Sequence, residues 1–406
     1  MTEGRALFFV FIAFAQLSFA ANSATAGEFE ISGFIAVEAR YFPNQALFSE
    51  QDNAEISPSV SAEPELTYEW NRHRDRLTFV PFARFDADDD RRTHADIREA
   101  SWLHVGKGWD LVVGFGRVFW GVAESRHLID IINQFDGVED IDNEDKLGQP
   151  MVNVQLQEDW GAISAFVLPG FRERTFPDDN ARLRGLFPID DNPTYDSAAK
   201  EAHVDFAFRW SHTIEDWDVG VSHFHGTSRE PLLVLTPQPT GQTVFIPHYD
   251  QIDQTSLDVQ LTTEAWLWKL EAMTRSGHGK RFFATVGGFE YTLYQIFETV
   301  YELGLLAEYQ YDGRDKVGTP FTASEGDFFV GARLALNDVQ STGGLAGLTI
   351  DRTSEAVFCF VEFERRIDDH YKIELEGRFS FNEKEDILIS SLKQDDFFTL
   401  RLRRFF

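Results

Sequence analysis

Phe398-Thr399-Leu400-Arg401-Leu402-Arg403-Arg404-Phe405-Phe406 alternates in character from one residue to the next. Phe398, Leu400 and Leu402 share one set of alternate positions with Arg404. Thr399, Arg401, Arg403 and Phe405 hold the other. Successive side chains of a strand point to opposite faces, so the stretch predicts a strand with one mostly apolar and one mostly polar face. The same period recurs upstream. Tyr371, Ile373, Leu375, Phe379 and Phe381 alternate with Lys372, Glu374, Glu376, Arg378 and Ser380. Tyr301, Leu303, Leu305, Ala307, Tyr309 and Tyr311 form one face of another strand, and Val204, Phe206, Phe208 and Trp210 one face of a third. Many such strands in series, with almost no helical periodicity, predict an all-β chain.

The connections between these strands alternate in length. Tight links fall near Asn71–Asp75, Gly106–Gly108, Glu158–Asp159, Thr213–Asp216, Thr263–Ala265 and Ile367–His370. Long ones fall near Pro43–Ser57, Gly121–Gly148, Pro169–Ala199, Gly226–Asp253, Asp312–Gly326 and Asn382–Gln394. Short turns at one end and long loops at the other are the pattern of an antiparallel transmembrane β-barrel. Composition agrees. Mean hydropathy is −0.28, yet 39 residues are Phe, as expected where one strand face meets lipid and the other a polar lumen. We expect 18 strands between Glu28 and Phe406, with 16 as the alternative; Gln340–Glu355 is the hardest hairpin to place. The lone Cys359 excludes an intrachain disulfide.

Ala6–Leu17 is an apolar run too short to span a membrane confidently. Small residues follow at Ser18-Phe19-Ala20 and Ala24-Thr25-Ala26. This predicts a secretory signal peptide over 1–26, with cleavage after Ala20 as the alternative, and a barrel domain over 27–406. The tail resembles the terminal assembly signal of Gram-negative outer-membrane β-barrels, departing from it at Arg404. That resemblance implies residence in the outer membrane, among its lipids and lipopolysaccharide, with Phe406 presented to the barrel-assembly machinery. It also leaves room for a homo-oligomer.

Net charge is −30, which argues against nucleic acid as a partner. Acidic residues crowd Asp86–Asp90 and Asp136–Asp145. Both runs read as solvated surface bridged to lipid phosphates by divalent ions. No dedicated metal site and no cofactor are expected; Asp86, Asp88, Asp90, Asp140 and Asp142 are weak Ca²⁺ candidates through oxygen ligands. Inward strand positions carry both signs. Arg209, Lys269, Arg275, Arg333, Arg378, Arg401 and Arg403 face Asp205, Asp258, Glu302, Glu308, Glu362, Glu374 and Glu376. They either set a transverse field across a water-filled lumen or merely pair with one another.

Leu111, Val113 and Phe115 fit a lipid face, which turns Gly114 and Gly116 inward. Arg117 would then enter lipid at a cost of ~2–4 kcal/mol, so the strand must bulge or end near Gly116. The third outward loop follows. Its Glu124–Asn133 segment puts Leu128, Ile131 and Ile132 at helical spacing and predicts a short helix. Gly114–Pro150 resembles the "GR…WG…D.(I/V)N" stretch of porin-like outer-membrane proteins. The resemblance implies a loop folded into the barrel, with Arg117, Arg126 and Asp130 at a constriction. Arg209, Arg333, Arg378, Glu374, Glu376, Arg401 and Arg403 complete the expected lumen set. Trp120, Gly121 and Asn133 would anchor the loop.

The expected function is a passive channel for small hydrophilic solutes or ions, not an enzyme. A transporter of hydrophobic compounds is one alternative, since Phe329, Leu267, Met273, Phe358 and Phe360 point inward. A polysaccharide exporter is another. A barrel lipase or protease is a third, but His203, His223, His225 and His248 are scattered and no nucleophile motif accompanies them.

Overall fold

The structure is a computed structural model describing residues 27–239, 241–322, 325–382 and 390–406. The expected signal peptide lies outside these residues. Among them are 21 strands: β1 (Glu28–Tyr41), β2 (Ile56–Trp70), β3 (Asp75–Asp86), β4 (His94–Val105), β5 (Trp109–Gly116), β6 (Gln149–Glu158), β7 (Gly161–Pro169), β8 (Thr194–Tyr195), β9 (Val204–Ile214), β10 (Trp217–Thr227), β11 (Leu232–Pro237), β12 (Thr243–Tyr249), β13 (Gln251–Thr263), β14 (Trp266–Gly277), β15 (Gly279–Leu293), β16 (Glu302–Asp312), β17 (Gly326–Ala335), β18 (Gly343–Asp351), β19 (Val357–Arg366), β20 (Tyr371–Phe381) and β21 (Phe397–Phe405).

Eighteen of them form one sheet, each pairing antiparallel with its neighbours. The tail closes it. β21 pairs with β1 from Phe34↔Phe405 to Tyr41↔Phe398, and with β20 on its other side. The sheet is thus a closed 18-stranded barrel, and closure removes every edge. β8, β11 and β12 make a small separate sheet in the loops.

The strand phases follow the sequence pattern. Outward residues such as Val37, Val60, Phe85, Phe206, Phe283 and Leu400 are 46–66 % exposed. A continuous apolar surface of this kind has to be covered by something other than water, and no helix among the described residues is long and apolar enough to cross a membrane. Aromatic rings gather near the barrel end that carries the termini. Tyr68 stacks on Trp70 at 5.5 Å. Trp266 stacks on Trp268 at 5.3 Å and lies 4.5 Å from Tyr291. Amphipathic rings of this sort mark a membrane–water boundary. Arg404 does face outward here, opposite Tyr371 and Ile35 in the two ladders.

Two expectations need correction. Gln340–Glu355 contributes a single strand, β18, rather than a hairpin. The segment Glu124–Asn133 contains turns and no helix, for a reason given below. The loop-length rule also has exceptions. Gly277-His278-Gly279 is a tight turn at the loop end, and the link between β15 and β16 at the opposite end runs through a short 3-10 turn.

Candidate functional site

β5 does stop at Gly116. Arg117 swings into the lumen, where its guanidinium lies 3.4 Å from Glu63. Gly114 has φ +133°, and a Cβ there would run into the carbonyl oxygen of Ala100. The loop 117–148 then folds inside the barrel. Asn133 clasps its base. The side-chain amide donates to the carbonyls of Gly116 at 2.8 Å and Leu147 at 2.9 Å, and its oxygen accepts the Val118 N–H at 2.8 Å. One buried side chain thereby joins the loop's start, middle and end.

The first half of the loop lies on the β6–β15 wall. Trp120, Leu128, Ile129, Ile131 and Ile132 pack with the inward Met151, Phe166, Leu168, Phe224, Ile252, Met273 and Phe282 in one buried cluster. Full burial of such side chains stabilises by roughly 1.5–3 kcal/mol each, so this half is seated firmly. Its backbone is held by side chains far away in sequence. Glu271 accepts the N–H groups of Val122 at 2.7 Å, Ala123 at 2.9 Å and Ile129 at 3.2 Å. Glu308 accepts those of Glu124 at 2.9 Å and Ser125 at 2.8 Å. Arg229, itself held by Asp205 at 2.6 Å, donates to the Ile132 carbonyl at 2.9 Å. These contacts hold the segment in turns against the wall, and the Ile129 N–H, which a helix over 124–133 would need for its own ladder, is taken by Glu271.

The second half crosses to the opposite wall, where arginines meet the acidic run. Arg98 binds Asp136 at 2.7 Å, Arg84 binds Glu139 at 2.7 Å and Arg40 binds Asp140 at 2.9 Å. Asp136, Glu139 and Asp140 are buried, so this part of the run is a glued inner surface and not the solvated outer one expected. Burial alone would raise the Asp136 carboxyl, but His94 and Arg98 hold it well below the ordinary aspartate value. The weak Ca²⁺ candidates are not assembled into one cage. Asp86 pairs with Arg92 at 2.6 Å, and Asp142 with Arg378 at 3.1 Å. His94, Asp136 and Glu139 do converge, but guanidinium groups already occupy both carboxylates.

A passage remains between the loop edge and the β17–β21 wall, with a volume of about 1000 Å³. Its lining runs from Phe321, Leu392 and Asp395 at the loop end to Ala335, Gly343 and Glu364 at the other. Glu124, His127, Asp142 and Glu144 supply the loop side, and Phe329, Phe358, Phe360 and Glu362 the wall. Among the described residues, eleven Asp and Glu side chains line it, against four arginines. Phe329 and Phe360 lie parallel, 6.1 Å apart, over Gly347, whose Cβ position would fall 2.5 Å from the Phe329 ring. Burial, with Asp140 nearby, pushes the Asp142 carboxyl up to about 7. Burial, partly offset by Arg182, pushes Asp395 up to about 6.

Arg333, Arg378, Glu374, Glu376, Arg401 and Arg403 line this passage. Arg117 instead lines a second cavity of about 510 Å³ at the terminal end, with Glu63, Glu65 and Glu99. Asp130 is buried against Lys146 and accepts the Trp120 N–H at 3.4 Å, which makes it a loop anchor. Arg126 pairs with Asp312 at 3.1 Å, and Arg209 makes a two-pronged contact with Asp258 at 2.7 and 2.8 Å. Neither lines the passage. Trp120 packs on Phe166 at 5.8 Å, and Gly121 sits where a Cβ would press on Glu271; both anchor the loop, as does Asn133. Sequence reasoning missed Glu124, His127 and Glu144, because nothing local says which loop edge stays uncovered. It also missed the anchoring role of Glu271, although its inward phase was readable.

No family model matches this chain, and no curated protein is similar to it in sequence. Among solved structures, mutants of the Rhodopseudomonas blastica porin superpose on it. One is 9% identical with a TM-score of 0.45, and another, a triple mutant, is 10% identical with a TM-score of 0.43. In both cases 93% of this chain and 100% of the other are covered. At that distance, nothing of their solutes or selectivity carries over.

The histidines noted in the sequence do not meet. His203 sits beside Asp205 at 2.8 Å. His223 and His225 share the exposed outer face of β10 and contact Thr255 and Asp253, each at 2.9 Å. His248 lies in the loop sheet, 3.4 Å from both Asp196 and Asp250.

Proposed function

We propose that the chain is an outer-membrane channel for passive diffusion of small hydrophilic solutes, with cations favoured over anions. On this reading, Gly114–Pro150 is the constriction loop of a porin-like protein. The observation that carries the proposal is the passage along β17–β21, which runs from one end of the strands to the other past an excess of carboxylates. Fixed charges around a narrow aqueous path raise the local concentration of the opposite sign and exclude the same sign. Arg378, Arg401 and Arg333 keep the path from being uniformly negative, so a polar solute meets both signs along it.

A second reading has one observation in its favour. Phe329, Phe358 and Phe360 form an apolar strip on the same wall, which suits solutes with one apolar face. The test common to both is single-channel recording of the refolded chain in a planar bilayer. Discrete conductance steps with a cation-selective reversal potential are expected. A correctly folded barrel that gave no steps would sink the channel reading.

A further inference from the structure

At the loop end of the barrel, the parallel pairing of β8 with β12 sets Thr194 against His248 and Tyr195 against Tyr249. Asp196 and Asp250 follow directly on the two strands, and the Asp196 N–H donates to the Tyr249 carbonyl at 3.1 Å. The side chains converge as a result. His248 Nε2 lies 3.4 Å from Asp196 Oδ1 and 3.4 Å from Asp250 Oδ1, and the three ligand atoms all fall within 4.8 Å of one another. A fourth group approaches from the Gly277–Gly279 turn. His278 Nε2 lies 3.7 Å from Asp250 Oδ2.

His278 is the independent sign that something belongs here. It is 1% exposed, yet neither ring nitrogen has a hydrogen-bond partner. A buried imidazole without a partner is costly, and each such group calls for an explanation, an unseen ion among them. The separations also suit one. Two ligands each ~2.1 Å from a Zn²⁺ at the tetrahedral angle stand about 3.4 Å apart, close to the spacings seen. His248 Nδ1 is 2.8 Å from the Thr194 hydroxyl, which can accept its proton and leave Nε2 free to ligate. Asp196 Oδ2 accepts the Gln251 N–H at 3.3 Å, which leaves Oδ1 for the ion.

We propose that Asp196, His248 and Asp250 form a three-ligand site for a divalent transition-metal ion of the Zn²⁺ type, beside the buried and unpartnered His278. An imidazole with two carboxylates suits Zn²⁺ and its neighbours better than Ca²⁺ or Mg²⁺, which prefer oxygen throughout. Two carboxylates also neutralise the ion. The ion joins two connections, those after β7 and after β10, next to the turn between β14 and β15. It therefore staples the loop sheet to the barrel rim, away from the passage.

The test uses the full chain, refolded in detergent and stripped with a chelator. Zn²⁺ is titrated against a chromogenic indicator, and Co²⁺ is added to read the visible absorption of a tetrahedral site. One equivalent per chain is expected, with binding weakened at least tenfold in His248→Ala and in Asp196→Asn. Asp196 is half exposed, so Asp196→Asn carries the test if the histidine variant folds poorly. His225→Ala, on the outer barrel face, should bind as the parent does. Binding by the parent no tighter than by Asp196→Asn, or equal weakening in His225→Ala, overturns the proposal.

Discussion

Asp142 is the residue at which pH should act on the passage. It faces Arg378 on β20, with Asp140 and Asp145 on its own loop. Its carboxyl is pushed up to about 7, so it is charged at pH 8 and mostly neutral at pH 6. Below pH 7 the lining loses a negative charge, and Arg378 keeps Glu362, 2.8 Å away, with Asp140 and Glu376 also near. Cation selectivity from reversal potentials should therefore fall between pH 8 and pH 6, and Asp142→Asn should flatten that change. The stability sign is opposite to that of an ordinary paired carboxylate. Here the folded value lies above the unfolded one, so the fold holds a proton that the unfolded chain has released. This group's contribution weakens as pH rises from about 4 to about 7, then stays level. Unfolding at pH 5 and pH 8, for parent and Asp142→Asn, checks it. Asn133 gives a second residue-level prediction. Asn133→Ala orphans the Gly116 and Leu147 carbonyls and the Val118 N–H, at about 1–3 kcal/mol for each group left buried and unpaired. Noisier current and faster proteolysis within 117–148 are expected.

The strands and the loop differ in how much of them the sequence discloses. A barrel strand sees lipid on one side and water or protein on the other, so period-two alternation shows its existence and its phase. That is why the inward setting of Arg333, Glu374, Glu376, Arg378, Arg401 and Arg403 could be read directly. β18 was harder, because Gly343 and Gly347 take inward positions and leave the pattern unwritten there. The glycine at 347 makes room for the Phe329 and Phe360 rings. Gly347→Ala should push them toward the passage and lower conductance, as read from single-channel current. Loop 117–148 could be placed inside the barrel but not shaped. Leu128, Ile131 and Ile132 sit at helical spacing, and all three are buried, but their environment is the barrel wall. The groups that decide the backbone, Glu271 and Glu308, come from strands more than a hundred residues away. No local window contains that information. Glu271→Ala should release the loop by removing the acceptor of three N–H groups, again at about 1–3 kcal/mol for each left orphaned. Accelerated hydrogen exchange at Val122, Ala123 and Ile129 is the readout.

On the proposed channel reading, the charge balance of the passage sets a salt-dependent preference for the molecule as a whole. The Debye length is about 10 Å at 0.1 M and about 3 Å at 1 M. Reversal potentials under a KCl gradient should therefore show cation selectivity that is strong at low salt and fades at high salt. A preference for anions at low salt would contradict the charge reading. The architecture also makes the passage eccentric. The loop and its anchors fill one side of the lumen and leave the open space against β17–β21, whose last strand is the sequence with which the chain ends. Arg401 on that strand reaches Glu38 across the seam at 2.8 Å, and Glu374 and Glu376 on the other side at 3.1 and 3.0 Å. The strand that closes the barrel is thus also a wall of the path. Completing the molecule and creating its aperture are one event, and an intermediate that stalls before β21 docks lacks this aperture rather than holding a narrower version of it.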